Sequence, residues 1–312
     1  FCLWDTKLTD HNIMNSPFRR DVVGELSAAC RKQGLAFGTY YSTCDWHHPD
    51  FPLTSPGGRV QRETSNLDRY TEYLKGQVKE LLTLYGPLHT IWFDMPQGFD
   101  AARGQGVIDF VRSIQPDVLV NNRSGAKGDY DTPEQRVGGF QIDRPWETCM
   151  TIGSQWAWKP DDPLKSLDEC IRTLVQCAGG DGNLLLNVGP TPDGEIEARQ
   201  VARLGEIGAW LRDYGESIYG TRGGPFKPCA HYATTRRGSA IYVHVFANAP
   251  EEVVLPALPR AIKSASVLKG GDVEWQADGG GLRLALPGTL RHPIDTVVKL
   301  ELDGPAMDIA PR

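Results

Sequence analysis

No stretch of the 312 residues approaches the ~20 consecutive apolar residues of a membrane-spanning helix, and the longest apolar runs, such as residues 240–246, are far shorter. Positive charge is in deficit: 33 Lys and Arg against 39 Asp and Glu leave a formal charge of -6. The chain therefore has no strong basic field to hold a phosphate backbone or an anionic bilayer, and neither nucleic acid nor a membrane is an expected partner. Cysteine is sparse and patternless. The seven residues Cys2, Cys30, Cys44, Cys149, Cys170, Cys177 and Cys229 are odd in number, with no Cys-x-x-Cys and no zinc-site spacing, and they read as small buried hydrophobes. No Gly-x-Gly-x-x-Gly follows a strand-like run and no P-loop is present, which argues against the nucleotide-binding versions of an open α/β sheet. His-x-His is absent as well, and the tandem His47-His48 would point in different directions on any regular element, so the pattern of a barrel metal site is missing.

What is present describes a globular protein. Hydrophobic residues make up 40% and charged residues 23%, with 34 Gly and 22 Pro, enough to exclude disorder as the main state. The length predicts about two domains at roughly 100–200 residues each. The sequence opens at Phe1 without a Met or a charged segment leading into an apolar one. The expectation is that N-terminal sequence is missing, which leaves the compartment open.

Along the chain, helix-spaced apolar residues alternate with short, nearly continuous apolar runs. Val22, Val23, Leu26 and Ala29 mark a helix over residues 21–32 that Gly34 stops, and residues 35–41 follow as an aromatic-rich strand. Leu67, Tyr70, Leu74, Val78, Leu81 and Leu82 mark the next helix, Gly86-Pro87 break it, and residues 89–94 read as a buried strand. A third helix near residues 106–114 leads to a strand at 118–122. Residues 140–143 and 148–152 are further strand candidates, a helix at 167–177 leads to a strand at 184–188, and a last helix spans 198–213.

Such alternation predicts an α/β fold with a parallel sheet covered by helices, and without a nucleotide fingerprint a (β/α) barrel of TIM type leads over an open sheet. After Tyr219 the texture changes to short β-rich segments at 240–246, 252–255, 262–268, 282–286 and 296–300. These predict a small C-terminal β-sandwich over 219–312, with the barrel in 1–218 and the boundary near 215–222.

In a parallel barrel the chemistry stands at the carboxyl ends of the strands. Asp94 ends Ile91-Trp-Phe-Asp94, although a strand-end Asp also serves as a loop cap. Arg123 follows the next strand, Tyr40 and Tyr41 close an earlier one, and Trp46, His47 and His48 lie on the loop after it. Trp146, Trp156 and Trp158 crowd a later segment. Any one of these aromatics fits plain packing, but several near strand ends suit the apolar faces of sugars. Glu134 lies in a polar loop, Gly128-Asp-Tyr-Asp-Thr-Pro-Glu134, whose alternative reading is a turn. Glu147 opens a strand, where a salt-bridge role is the alternative. Two carboxylates on separate loops among aromatics fit glycoside hydrolysis, which needs neither metal nor other cofactor. A sugar-binding protein with a dead site, or a metal-dependent barrel hydrolase, are the other readings.

The motifs Phe1-Cys-Leu-Trp-Asp, Phe37-Gly-Thr-Tyr-Tyr-Ser, Asp45-Trp-His-His-Pro, Ile91-Trp-Phe-Asp94, Asn121-Asn-Arg123, Trp146-Glu-Thr-Cys, Gly182-Asn-Leu-Leu-Leu-Asn-Val-Gly-Pro190 and Ile218-Tyr-Gly-Thr-Arg222 occur in an order that resembles the retaining α-L-fucosidases, glycoside hydrolase family 29. The resemblance spans residues 1–222. It implies Asp94 as the nucleophile of a covalent fucosyl-enzyme, and Arg123 and Tyr40 as contacts to fucose or to the nucleophile. Trp156 would lie against the sugar, and Trp46, His47 and Glu147 would serve as further substrate contacts. Glu134 matches the acid/base, with Glu147 as its rival. The string ending Thr132-Pro-Glu-Gln135 resembles the subgroup acting on α-1,3 and α-1,4 linked fucose. The implied partner is a fucosylated oligosaccharide or glycoconjugate and the implied compartment secreted or periplasmic, while the oligomeric state stays open. Family members carry His-bearing strands ahead of the position of Phe1, so the resemblance also implies a barrel lacking its first strands.

Overall fold

The computed structural model describes residues 1–53 and 62–312. The chain is mixed α/β and divides into two compact units, Phe1–Asp131 and Thr132–Arg312.

In the first unit three helices alternate with three parallel strands. Helix α1 (Val22–Lys32) starts at Asp21, whose side chain accepts the Gly24 N–H. Strand β1 (Thr39–Ser42) follows, then α2 (Leu67–Leu84), capped by Asn66 through the N–H groups of Asp68 and Arg69. Strand β2 (Thr90–Asp94), helix α3 (Ala101–Ile114), capped by Asp100, and the two-residue strand β3 (Leu119–Val120) complete the unit. Side-chain caps of this kind satisfy N–H groups that the helix cannot pair internally. The sheet runs in the order β1-β2-β3. Its register sets Tyr40 opposite Trp92 and Ser42 opposite Asp94. One face of α2, through Tyr70, Leu74, Val78 and Leu81, packs with Ile91 and Phe93 of β2 and Val107 and Val111 of α3 in a single core. Since side chains alternate along a strand, burying Ile91 and Phe93 turns Trp92 and Asp94 to the other face.

The second unit opens with the parallel pair β4 (Glu147–Thr151) and β5 (Asn183–Asn187), separated by α4 (Leu167–Gly179). Helix α4 begins with a capping box in which Ser166 and Glu169 bond each other's backbone N–H groups. Helix α5 (Ala198–Tyr214) follows, then β6 (Arg222–Gly223), β7 (Tyr232–Arg237), β8 (Ala240–Phe246), β9 (Glu252–Leu255), β10 (Ile262–Val267), β11 (Glu274–Asp278), β12 (Gly281–Ala285) and β13 (Asp295–Leu302). These strands form a sheet ordered β10-β13-β8-β7-β6 and another ordered β11-β12-β9. The two sheets close over one core that includes Val243, Val245, Val253, Leu284, Val298 and Leu300. On the other face of β8, Tyr242 and Phe246 pack against Ile171 and Val175 of α4 and Ile207 and Trp210 of α5.

Several expectations change. Residues 140–143 form no strand: Gln141 donates its N–H to the Gly180 carbonyl at 3.1 Å and its side chain to the Arg144 carbonyl at 2.9 Å, while Ile142 is 43% exposed. The apolar alternation there runs over a bend at 142–144. The strand expected over 35–41 is confined to Thr39–Ser42, that expected over 118–122 to Leu119–Val120, and α3 begins at Ala101, earlier than its apolar spacing indicates. Strands β6, β7 and β11 are additions. Among the described residues no helix is long and apolar enough to cross a membrane.

Candidate active site

Asp94 is the last residue of β2, and both of its carboxylate oxygens are engaged. The Tyr40 hydroxyl donates to Oδ2 at 2.8 Å, and Arg123 Nη1 approaches Oδ1 at 3.1 Å. The strand register explains the first contact: Tyr40 lies opposite Trp92, on the same face as Asp94, and the two rings stack at 5.8 Å and 19°. Arg123 arrives from the turn Asn122–Ser124 after β3 and lays its guanidinium over Trp92, 4.8 Å from the ring centroid. Trp92 is thus the floor on which both partners of Asp94 rest, an arrangement that uses stacking and cation–π attraction together. The side chains of Asp94 and Arg123 are 20% and 16% exposed, so their ion pair is partly shielded from water.

Tyr40 keeps its ring open, 60% exposed, but tucks its hydroxyl against Asp94. Burial of that hydroxyl, reinforced by the adjacent carboxylate, raises its pKa well above that of an ordinary phenol. Tyr40 therefore keeps its proton and serves as a standing hydrogen-bond donor to Asp94.

The backbone around Asp94 is fixed on both sides. Its carbonyl accepts the Thr43 N–H at 2.8 Å and the Thr43 hydroxyl at 3.0 Å. One residue earlier, Phe93 N–H donates to Asn121 Oδ1 at 2.9 Å and the Phe93 carbonyl accepts from Asn121 Nδ2 at 2.8 Å.

Trp46 and His47 occupy the turn after β1. Asp45 Oδ1 accepts the His47 N–H at 2.9 Å, and the Arg62 guanidinium bonds the Trp46 carbonyl. The His47 ring stacks on His11 at 4.0 Å and 18°. Burial lowers the pKa of His11, and the positive charges beside it, of the N-terminus and of His47, act in the same direction.

In the second unit, Glu134 sits on a segment that the sequence assigns to a polar loop, yet its backbone runs parallel to β4. Cys149 donates its N–H to the Pro133 carbonyl and accepts from Gln135, both at 2.9 Å. Glu134 itself is exposed, whereas Glu147 is half-buried at the amino end of β4. Trp156 belongs to the opposite, carboxyl end of this strand pair, where its carbonyl accepts from Asn187, the last residue of β5, and its side chain is 42% exposed. The loop carrying Trp156 is drawn in by Asp162, which accepts the Ser154 N–H at 2.8 Å. The Ser154 hydroxyl, the first of several bonds to that carboxylate, lowers its pKa. Trp158 is tied by its indole N–H to Glu197 at 3.1 Å, and Trp146 is buried in the core.

Of the residues singled out in the sequence, the structure brings Asp94, Tyr40 and Arg123 together. Trp92, Thr43 and Asn121 belong with them and carry no assigned role in the sequence reading. The two-residue period of β2 is the signal for Trp92, since it shares the parity of Asp94. Among the described residues no three His, Cys, Asp or Glu side chains converge as a metal-holding group.

A sequence model of the alpha-L-fucosidase family matches residues 1–216. The tissue alpha-L-fucosidase of Macaca fascicularis is 30% identical over 298 residues, an alignment spanning 86% of this chain and 61% of the relative. The plasma alpha-L-fucosidase of Homo sapiens is 28% identical over 323 residues, spanning 94% and 67%. Among solved structures, alpha-L-fucosidase isoenzyme 1 from Paenibacillus thiaminolyticus superposes with a TM-score of 0.79 at 32% identity, over 97% of this chain and 80% of that one. A GH29 alpha-L-fucosidase from Bacteroides thetaiotaomicron, trapped as a covalent intermediate with 2-fluoro-fucosyl fluoride, gives 0.81 at 25% identity, over 97% and 76%. The chain spans 61% of the length of the tissue relatives from Macaca fascicularis and Homo sapiens.

Proposed function

This chain belongs to the alpha-L-fucosidase family, and from that premise we propose that it hydrolyses terminal α-L-fucose from glycans with retention of configuration. The observation that carries the reading is the Asp94 carboxylate, held at a strand's carboxyl end between the Tyr40 hydroxyl and the Arg123 guanidinium. In this reading Asp94 attacks the anomeric carbon as Glu134 protonates the departing glycosidic oxygen, giving a covalent fucosyl-enzyme. Glu134 then takes a proton from water, which attacks the same carbon and releases Asp94; two inversions give net retention. Both contacts aim Asp94, and neither competes with its nucleophilic role, since a carboxylate oxygen has lone pairs to spare. The covalent intermediate of the Bacteroides thetaiotaomicron relative supports the scheme.

Glu134 is preferred over Glu147 because Glu147 stands at the amino end of β4, away from the carboxyl ends where barrel enzymes place their chemistry. Trp156 would cover the apolar side of the sugar, with Trp46 and His47 as further contacts. The proposed architecture is a (β/α) barrel over residues 1–218 with an accessory sandwich over 219–312. The proposed substrates carry α-1,3 or α-1,4 linked fucose.

The test is chemical rescue. Asp94→Gly should lose nearly all hydrolysis of an aryl α-L-fucoside, and added azide should restore turnover with β-L-fucosyl azide as product. Glu134→Ala should fail on a fucosylated trisaccharide yet retain activity on an aryl fucoside whose leaving group needs no proton. Undiminished turnover in Asp94→Gly overturns the nucleophile, and the second pattern appearing in Glu147→Ala instead exchanges the two glutamates.

A further inference from the structure

Strand β3 pairs with β2 only through Leu119 and Val120, opposite Thr90 and Ile91. On its other edge the strand meets a different neighbour at Val120, and after Asn121 its backbone leaves β2 for the turn Asn122–Ser124. The Asp129 N–H donates to the Val120 carbonyl at 2.6 Å, the Val120 N–H donates to Asp129 Oδ2 at 2.7 Å, and Asn121 bridges to Tyr130. The close approach of the 128–130 segment requires Gly128: its φ is +57°, and a Cβ there would stand 2.3 Å from the Asn121 carbonyl oxygen. Phe93 should consequently be left with two unpaired backbone groups in the core, next to Asp94.

Asn121 fills the gap. Its primary amide supplies one acceptor to the Phe93 N–H and one donor to the Phe93 carbonyl, and the side chain is fully buried. A side-chain amide thus stands in for a peptide unit and extends the parallel ladder after the backbone has left it. The exchange has a geometric consequence. Freed from β2, the chain enters the turn Asn122–Ser124 and delivers Arg123 over Trp92 to Asp94. One residue therefore fixes the peptide that precedes the Asp94 side chain and anchors the origin of the arm that grips it.

We propose that Asn121 is a positioning residue, setting the distance between the Asp94 carboxylate and the Arg123 guanidinium through its amide bonds to Phe93. The proposal rests on the reading of Asp94 as nucleophile. Only an amide of this length meets both Phe93 groups: Asp offers acceptors alone, Leu offers neither, and Gln places its amide one methylene too far.

Crystal structures and kinetics of Asn121→Ala, Asn121→Asp and Val120→Ala test it. Val120 is a buried core residue of the same strand, so its truncation reports general loosening without touching the amide bonds. Both Asn121 variants should show the Asp94 carboxylate moved off Arg123 and Tyr40. They should lower kcat for an aryl α-L-fucoside about 100-fold, the scale of an ångström-sized misplacement. KM should stay within about threefold, because the substrate contacts made by other residues remain. Covalent labelling by 2-fluoro-fucosyl fluoride, followed by intact mass, should slow in parallel. Val120→Ala should lower the melting temperature and leave kcat nearly unchanged. An Asn121→Ala structure that keeps the 3.1 Å and 2.8 Å contacts to Asp94 overturns the inference. So does an Asn121→Ala kcat within about twofold of the parent, or an equal fall in Val120→Ala. A parent protein that neither turns over fucosides nor takes the label would instead refute the proposed activity, while the variant structures still decide the role of Asn121.

Discussion

Tyr40 shows how one side chain is held in one protonation state by the group it serves. Its hydroxyl is buried against an anion, so releasing the proton would set two negative charges 2.8 Å apart, and its pKa is raised accordingly. Tyr40 thus donates to Asp94 throughout neutral and mildly alkaline pH. Replacing it with Phe removes one charge-assisted bond worth ~1.5–3 kcal/mol in shielded sites; its exposure puts the effect at the low end, about a tenfold loss in kcat/KM. Because Tyr40 does not titrate below pH ~10, the alkaline limb of the rate profile should keep its midpoint in Tyr40→Phe. A pH–rate series on both proteins checks this, and a limb that vanishes in the variant would assign it to Tyr40. At this scale the sequence was informative wherever a polar residue ends an apolar run, as with Asp94, Tyr40 and Arg123. Asn121 is different. Its position beside Arg123 is plain, but its function depends on where β3 leaves β2, which no local pattern records.

Elements were legible where their apolar spacing is clean. Tyr70, Leu74, Val78 and Leu81 define α2 in sequence and in packing alike. Strand β7 is not legible in the sequence because Thr234, Thr235 and Arg236 look like surface residues, yet all three are buried. Arg236 is tolerated there by donating to the carbonyls of Gly223, at 3.1 Å, and of Ala306, also at 3.1 Å, partners remote in sequence. The start of β4 and β5 poses the opposite case, a tryptophan that invites a sugar-binding reading. Trp146 is instead enclosed by glycines: a Cβ at Gly138, Gly180 or Gly182 would stand 2.7, 2.9 or 2.2 Å from its indole. Gly182→Ala should therefore push the indole out of register with the β4–β5 pair and cost ~1–3 kcal/mol, the usual penalty of overpacking. For a unit of this size the melting temperature should drop by about 3–10 °C. Gly139→Ala, with open space at its Cβ, should leave it nearly unchanged. Equal melting temperatures for the two variants would show that Trp146 yields without cost.

Texture and packing divide the whole molecule at different places. Composition turns β-rich after about residue 219, while compactness separates Phe1–Asp131 from Thr132–Arg312. Texture reports which secondary structure a segment prefers; packing reports which segments share a core. Helices α4 and α5 read as parts of an α/β alternation, but their apolar faces lie on β8, alongside Ala233 of β7. Each unit owns its core, and the cores differ in depth. In the first, β2 pairs with the four-residue β1 and the two-residue β3. In the second, β8 is central in a five-stranded sheet, buried along its whole length, with a core on each face. Cooperative units of unequal core open with unequal free energies. Native-state hydrogen exchange should accordingly give the amides of Ile91 and Phe93 a lower opening free energy than those of Val243 and Val245. Denaturant should release the β2 set first, so that probes in the two units give non-coincident transitions, contrary to two-state behaviour. Identical opening free energies that fall together with denaturant would mean the 312 residues unfold as a single unit despite their separate cores.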